Sequence, residues 1–136
     1  DLVIMESTYG DRRHRRRADT IAELAGIFRD ADHHRGNILV PAFAVGRTQE
    51  LLYLFATWFD EWQLGRFHIS LDSPMAIRTS AVYWDNPQLF DAEAATVRRE
   101  VRGMPILRNL TFTQSTGESQ QITRRGNGAI VIAGSG

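Results

Sequence analysis

The feature that most constrains this chain is a set of short runs that stay apolar instead of alternating with polar residues. Leu2-Val3-Ile4-Met5 and Ala129-Ile130-Val131-Ile132-Ala133 are apolar throughout. Strands of that kind are buried on both faces, and they belong to parallel sheets covered by helices. Further strands are predicted at residues 37–40, halted by Pro41, at 67–71, and at 110–113, where Leu110-Thr111-Phe112-Thr113 alternates.

Helical patterns fall between these runs. Ile21, Leu24, Ala25, Phe28 and Ala31 share one helix face, with Thr20 and Glu23 spaced as a capping box and Arg35-Gly36 as the stop. Residues 47–62 are apolar around most of a helix circumference, and only Glu50, Thr57 and Glu61 leave a polar stripe. A helix of that kind is buried on two sides. Pro74 opens a helix over residues 74–84, Asn86-Pro87 breaks the chain before another at 92–101, and 115–124 is helical as well. The alternation predicts an α/β, Rossmann-like fold: a mainly parallel sheet with helices on both faces, three layers, in one domain over residues 1–136.

Composition narrows the chemistry. The 136 residues carry 16 acidic and 16 basic side chains, so no net field draws the protein to nucleic acid or an anionic membrane. There is no cysteine, which removes disulfides, thiolate metal sites and cysteine nucleophiles. No apolar run is long enough to span a bilayer, and residues 1–5 lack the pattern of a signal peptide, so a cytoplasmic protein with no membrane partner is expected. Every basic residue is arginine, and five of them fall within residues 12–17. Arginine-rich coding bias accounts for the first fact as readily as phosphate recognition does, because guanidinium groups also pair bidentately with phosphate oxygens.

Ligands of parallel α/β sheets gather beyond the carboxyl ends of the strands. There the sequence places Glu6-Ser7-Thr8-Tyr9-Gly10-Asp11-Arg12, Pro41-Ala42-Phe43-Ala44-Val45-Gly46-Arg47, Asp72-Ser73-Pro74-Met75-Ala76 and Gly134-Ser135-Gly136. Each offers small residues, hydroxyls or backbone amides suited to anionic oxygens, and each also suits an ordinary turn.

Taken in order, Glu6–Arg12, the run from Val40 through Gly46-Arg47-Thr48-Gln49-Glu50 to Leu52, and Leu71–Ala76 resemble the β-CASP region of metallo-β-lactamase-fold nucleases. That family includes RNase J and the endonuclease subunit of the pre-mRNA 3′-end cleavage machinery. The resemblance runs to the closing Ile132-Ala133-Gly134-Ser135-Gly136; Gly134 stands where alanine or serine is expected in many relatives. It implies a lid that grips RNA over a cleft holding two zinc ions, hydrolysing RNA phosphodiester bonds by endonuclease or exonuclease action. It also implies that the zinc ions and the metallo-β-lactamase domain belong to the same polypeptide outside this chain. A homodimer of the intact protein is compatible with this.

No zinc site complete within the chain is expected. The histidines are His14, His33, His34 and His68, and no His-x-His-x-Asp-His occurs. His33 and His34 point about 100° apart on a helix and suit its C-terminal dipole better than a shared metal. There is no Gly-x-Ser-x-Gly elbow, no P-loop lysine and no Gly-x-Gly-x-x-G. The resemblance assigns Glu6 to a carboxylate that holds a catalytic histidine donated from outside the chain; capping a turn is its ordinary alternative. Arg47 stands at a helix start, where a cation opposes the dipole, so it either pairs with Glu50 or Asp72 or anchors a phosphate. Arg12, Arg15 and Arg16 are candidates for phosphate contact or for a solvated edge. Ser7, Ser73 and Ser135 are candidates for phosphate contact or for loop caps. A non-catalytic module binding nucleic acid or a nucleotide is the rival reading of the whole chain.

Overall fold

The apolar strands find one another. In a computed structural model describing residues 2–100 and 107–134, β2 (His68–Asp72) and β4 (Ala129–Ala133) lie side by side in the middle of a four-stranded sheet. β1 (Ile38–Pro41) pairs with the far side of β4, and β3 (Leu110–Phe112) with the far side of β2, giving the order β1-β4-β2-β3. All three pairings are parallel. In β2 the consecutive residues Ile69, Ser70 and Leu71 face opposite sides of the sheet and all are buried. Both faces are therefore covered, as an all-parallel sheet requires. This is the expected three-layer α/β arrangement.

Five helices supply the cover: α1 (Arg17–His34), α2 (Arg47–Thr57), α3 (Pro74–Asp85), α4 (Ala92–Glu100) and α5 (Thr116–Thr123). Phe28 of α1 meets Phe55 of α2 edge-on, with centroids 5.4 Å apart, and lies 5.2 Å from Trp62. These rings join Ile69, Leu71, Ile130 and Ile132 of the two central strands in one core. Each such side chain contributes about 1.5–3 kcal/mol by leaving water.

Several boundaries depart from the sequence reading. Residues 2–5 form no strand: Leu2, Val3, Ile4 and Met5 are all largely exposed, because no described strand lies beside them to complete a ladder. Pro41 does not halt β1 but ends it in register with Ala133. That is tolerated because β1 is an edge strand, where one missing N–H breaks no ladder. Helix α2 stops at Thr57, five residues short of the expected end. The apolar pattern continues because the turn beyond it, which passes through a left-handed Gln63 (φ 53°), stacks Trp62 on Trp58. Helix α1 begins before Thr20. Arg16 is its N-cap, and Asp19 in the first turn favours the N-terminal dipole in place of the expected capping box. The expected continuation of α4 to Val101 lies outside the described residues.

Candidate nucleic-acid interface at the strand ends

Because the strands are parallel, the segments that follow β1, β4 and β2 meet on one edge. A Cβ placed on Gly134, after β4, would lie 3.8 Å from the Ser73 hydroxyl and 4.0 Å from the Ala42 carbonyl. Those are ordinary contact distances, so alanine would fit where glycine stands.

The β1–α2 loop is tied down from inside. Thr48, buried, donates its hydroxyl to the Phe43 carbonyl at 2.8 Å. The Gln49 amide donates to the Ala44 carbonyl (3.1 Å) and to the Ser80 hydroxyl (2.9 Å), while its oxygen accepts from the Gly46 N–H at 2.7 Å. Gly46 turns the chain at φ 84°, a region that side chains disfavour. With the loop's polar groups satisfied, Phe43 and Val45 project into solvent.

On the neighbouring strand, Asp72 fastens β2 to the segment after β3. Its carboxylate accepts hydroxyl hydrogen bonds from Thr113 (2.6 Å) and Ser119 (2.7 Å). Ser73 caps α3, accepting from the Ala76 N–H at 3.3 Å. Ser115 caps α5 in a reciprocal box with Glu118, whose carboxylate takes the N–H groups of Gln114 (2.7 Å) and Ser115 (3.2 Å). Those backbone bonds hold Glu118 below the usual carboxylate pKa, the Gln114 bond foremost. The Ser115-x-x-Glu118 spacing is a local capping-box signal that the sequence reading of residues 115–124 simply as a helix leaves unused. The Asp72–Thr113–Ser119 triangle had no local signal.

The candidate residues do not converge on one point. Glu6 is exposed and bonded to Thr8, whose hydroxyl and then backbone N–H depress its pKa. Within this chain it therefore makes the turn contact, and its carboxylate stays ionised in neutral solution. Ser7 is exposed, and its carbonyl accepts from Gly10 N–H at 2.9 Å, closing that turn. Arg47 pairs with Glu50 at 2.6 Å rather than with Asp72. Three arginines of the basic run also meet carboxylates: Arg12 with Asp11 (2.8 Å), Arg15 with Glu23 (2.6 Å) and Arg16 with Asp19 (2.9 Å). All four pairs are exposed, so each stabilises by no more than about 1 kcal/mol and leaves the guanidinium open to exchange partners. Arg17, which ends the run and opens α1, lines the same cavity as Gly46 of the β1–α2 loop. Ser135 lies outside the described residues.

His33 and His34 close the last turn of α1, where His34 Nδ1 sits 3.1 Å from Asp30. Among the described residues no three His, Asp or Glu side chains are grouped as metal ligands would be. Nor is any helix among them long and apolar enough to cross a membrane.

A parallel α/β layer fold with loops of this composition at its strand ends matches the Beta-Casp domain over residues 48–136, and the chain belongs to that family. Several of its relatives are named as ribonucleases. Ribonuclease TTHA0252 of Thermus thermophilus is 35% identical over 136 residues, all of this chain and 31% of that protein. Endoribonuclease ysh1 of Schizosaccharomyces pombe is 34% identical over 84 residues, 61% of this chain and 11% of the relative. Cleavage and polyadenylation specificity factor 73 of Drosophila melanogaster is also 34% identical over 84 residues, 61% of this chain and 12% of its own. The chain thus spans about a third or less of the length of these relatives. It is a nuclease-associated domain, and the match to the ribonuclease spans the whole chain, the arginine run included.

Proposed function

We propose that this domain is the RNA-gripping lid of a ribonuclease that hydrolyses phosphodiester bonds with two zinc ions. The single observation that supports this best is the similarity, along the whole chain, to a protein named as a ribonuclease. In this reading the zinc ligands and the metallo-β-lactamase domain lie elsewhere in the same polypeptide. In the same reading this domain contributes no metal ligand and is inactive alone.

Its own contribution is twofold. Arg12, Arg15, Arg16 and Arg47 trade their exposed carboxylate partners for RNA phosphates, releasing counterions from the RNA as they do so. Ser7, Ser73 and Ser135 add hydroxyl donors along the same track. Glu6 remains ionised beside Thr8 and accepts the imidazole N–H of a histidine brought by the catalytic domain, fixing that ring's tautomer and stabilising its cationic form.

The test uses the intact polypeptide. Glu6→Gln should lower turnover by roughly 10²–10⁴-fold, the range for acid–base assistance, with RNA affinity and zinc content little changed. Full turnover in a well-folded Glu6→Gln protein would remove the role. The Arg15→Glu, Arg16→Glu double variant should weaken RNA binding and flatten its salt dependence, which for three or four phosphate contacts follows roughly the third power of salt concentration. Affinity for RNA with the domain itself catalytically complete, or independent of salt, would count against the lid.

A further inference from the structure

A cavity of about 690 Å³ opens between α2, α3 and α4, away from the pairing edges of the sheet. Its wall is apolar: Leu52 and Tyr53 of α2, Trp84 at the end of α3, Phe90, and Ala94 and Val97 of α4. The apolar surface does not stop at the cavity. Val82, Tyr83 and Leu89 stand on its rim with 62%, 43% and 80% of their surfaces in water. Leaving three large apolar side chains on one rim costs free energy in the unpartnered chain, and clusters of this kind mark interaction surfaces.

The charges around the cavity are ordered as well. Arg17, at the start of α1, lies in the lining, as does Gly46, the N-cap of α2. Tyr53 is seven residues further on, about 10 Å along the helix axis at 1.5 Å per residue. There burial, and then the neighbouring Glu93 carboxylate, raise the Tyr53 pKa, and Asp91 stands close by with its Oδ1 capping α4 through the Ala94 N–H at 2.8 Å. Among the described side chains no arginine pairs with Asp91 or Glu93, whereas Glu50, the third carboxylate of the lining, is held by Arg47. The end of the groove at Asp91 and Glu93 is therefore acidic and, among the described side chains, carries no ion pair.

We propose that this groove docks an amphipathic basic helix of a protein partner. The apolar wall and rim would take the helix's i, i+3, i+4 and i+7 side chains, and Asp91 with Glu93 would take lysine or arginine flanking them. RNA does not suit the site, because its phosphates would face those two carboxylates. A small organic cation does not suit it either, since it would leave the rim of Val82, Tyr83 and Leu89 wet.

The probe is a fluorescein-labelled 18-residue helix with leucine at the four spaced positions and lysine at its flanks, read by anisotropy against the 136-residue chain. The same helix with glutamate for lysine should bind at least ten-fold more weakly. Leu89→Asp and Glu93→Lys, both at exposed positions, should each weaken the lysine helix ten-fold or more, with melting temperatures recorded to show that the variants fold. Asp30→Lys, on the exposed surface of α1, should change affinity less than two-fold. The proposal fails if the lysine helix does not bind, if Asp30→Lys weakens it as much as Glu93→Lys, or if folded Leu89→Asp binds it normally. It fails equally if spermidine or oligouridylate displaces the helix at matched concentration. A concentration-dependent dimer that Leu89→Asp abolishes, with no helix binding, would make a second copy the occupant and overturn it.

Discussion

Replacing Asp72 with alanine removes the acceptor shared by Thr113 and Ser119, and the structure sets the size of the effect. A hydrogen bond to an ionised carboxylate contributes about 1.5–3 kcal/mol net, so two of them set an upper limit near 6 kcal/mol. That limit must be discounted. Ser119 is only half-buried and regains a water partner, and the Thr113 hydroxyl keeps the Leu71 carbonyl as an acceptor at 3.1 Å. What remains is the strained loss at Thr113, which is buried, together with the loosening of α5 from β2, or about 2–3 kcal/mol. At this chain length, about 3 °C per kcal/mol, the melting temperature should fall by some 6–9 °C. Asp72→Asn keeps one acceptor and the shape, and should cost about 1 kcal/mol. Urea titrations of Asp72→Ala, Thr113→Val and the double variant should give a coupling of about 1–2 kcal/mol between the two sites. Additivity within 0.3 kcal/mol, or a folded Asp72→Ala that melts with the parent, would refute the claim that this carboxylate ties β2 to the segment after β3.

Three further outcomes follow from the geometry. Phe28→Ala empties the centre of the aromatic cluster and should destabilise by about 3–5 kcal/mol in denaturant titration, more than any single surface variant. Gly46→Ala meets no neighbour within 4 Å, so its cost is that of forcing a Cβ into φ 84°, about 1–3 kcal/mol; a thermally neutral Gly46→Ala would show that the β1–α2 loop relaxes freely. Glu6, Asp11 and Glu118 all have depressed pKa values when folded, so the stability they confer is fully present above the ordinary carboxylate range and drains away as pH falls through and below it. Melting temperature should therefore drop on acidification below about pH 4.5, and Glu118→Gln should flatten that drop.

Which parts of this could be read from the sequence follows from whether the signal was local. β4 was legible to the residue because five consecutive apolar positions in a parallel sheet mean burial on both faces, wherever the neighbours come from. Helix α3 was legible from Pro74 onward for the same reason: a proline in the first turn and Ser73 before it specify a helix start without outside help. The extent of α2 was not, because Trp58, Phe59 and Trp62 are as apolar in a packed turn as in a helix, and periodicity cannot tell the two apart. Residues 2–5 show the same limit from the other side. An apolar run states that it can be buried but not by what, and no described strand of this chain does it. At the strand ends, Ser73 and Arg47 were read with both roles open, and their helix-capping and Glu50-pairing roles are the ones the chain realises internally. Asp72 reads in the sequence as part of a loop and as one of two possible partners of Arg47; its actual partners lie 41 and 47 residues downstream and left no local signal.

The strand order carries a consequence for how the chain comes into being. Among the described residues β4 is the strand latest in sequence; it occupies the slot between β1 and β2, and β1 has no other described neighbour in the sheet. Ile38 must wait for Ile130, 92 positions later, before it acquires a partner. On a ribosome, everything up to residue 128 can emerge with its helices formed and one of the four described strands missing, leaving a gap between β1 and β2. Closure is then a late, long-range event of the kind that slows folding and leaves edges exposed to wrong partners. A chain cut just before Ala129 would lose the strand that joins β1 to β2, leaving the two connected only through the helices and the aromatic cluster around Phe28. Residues 129–133 supplied in trans would be the natural wedge to bring them together.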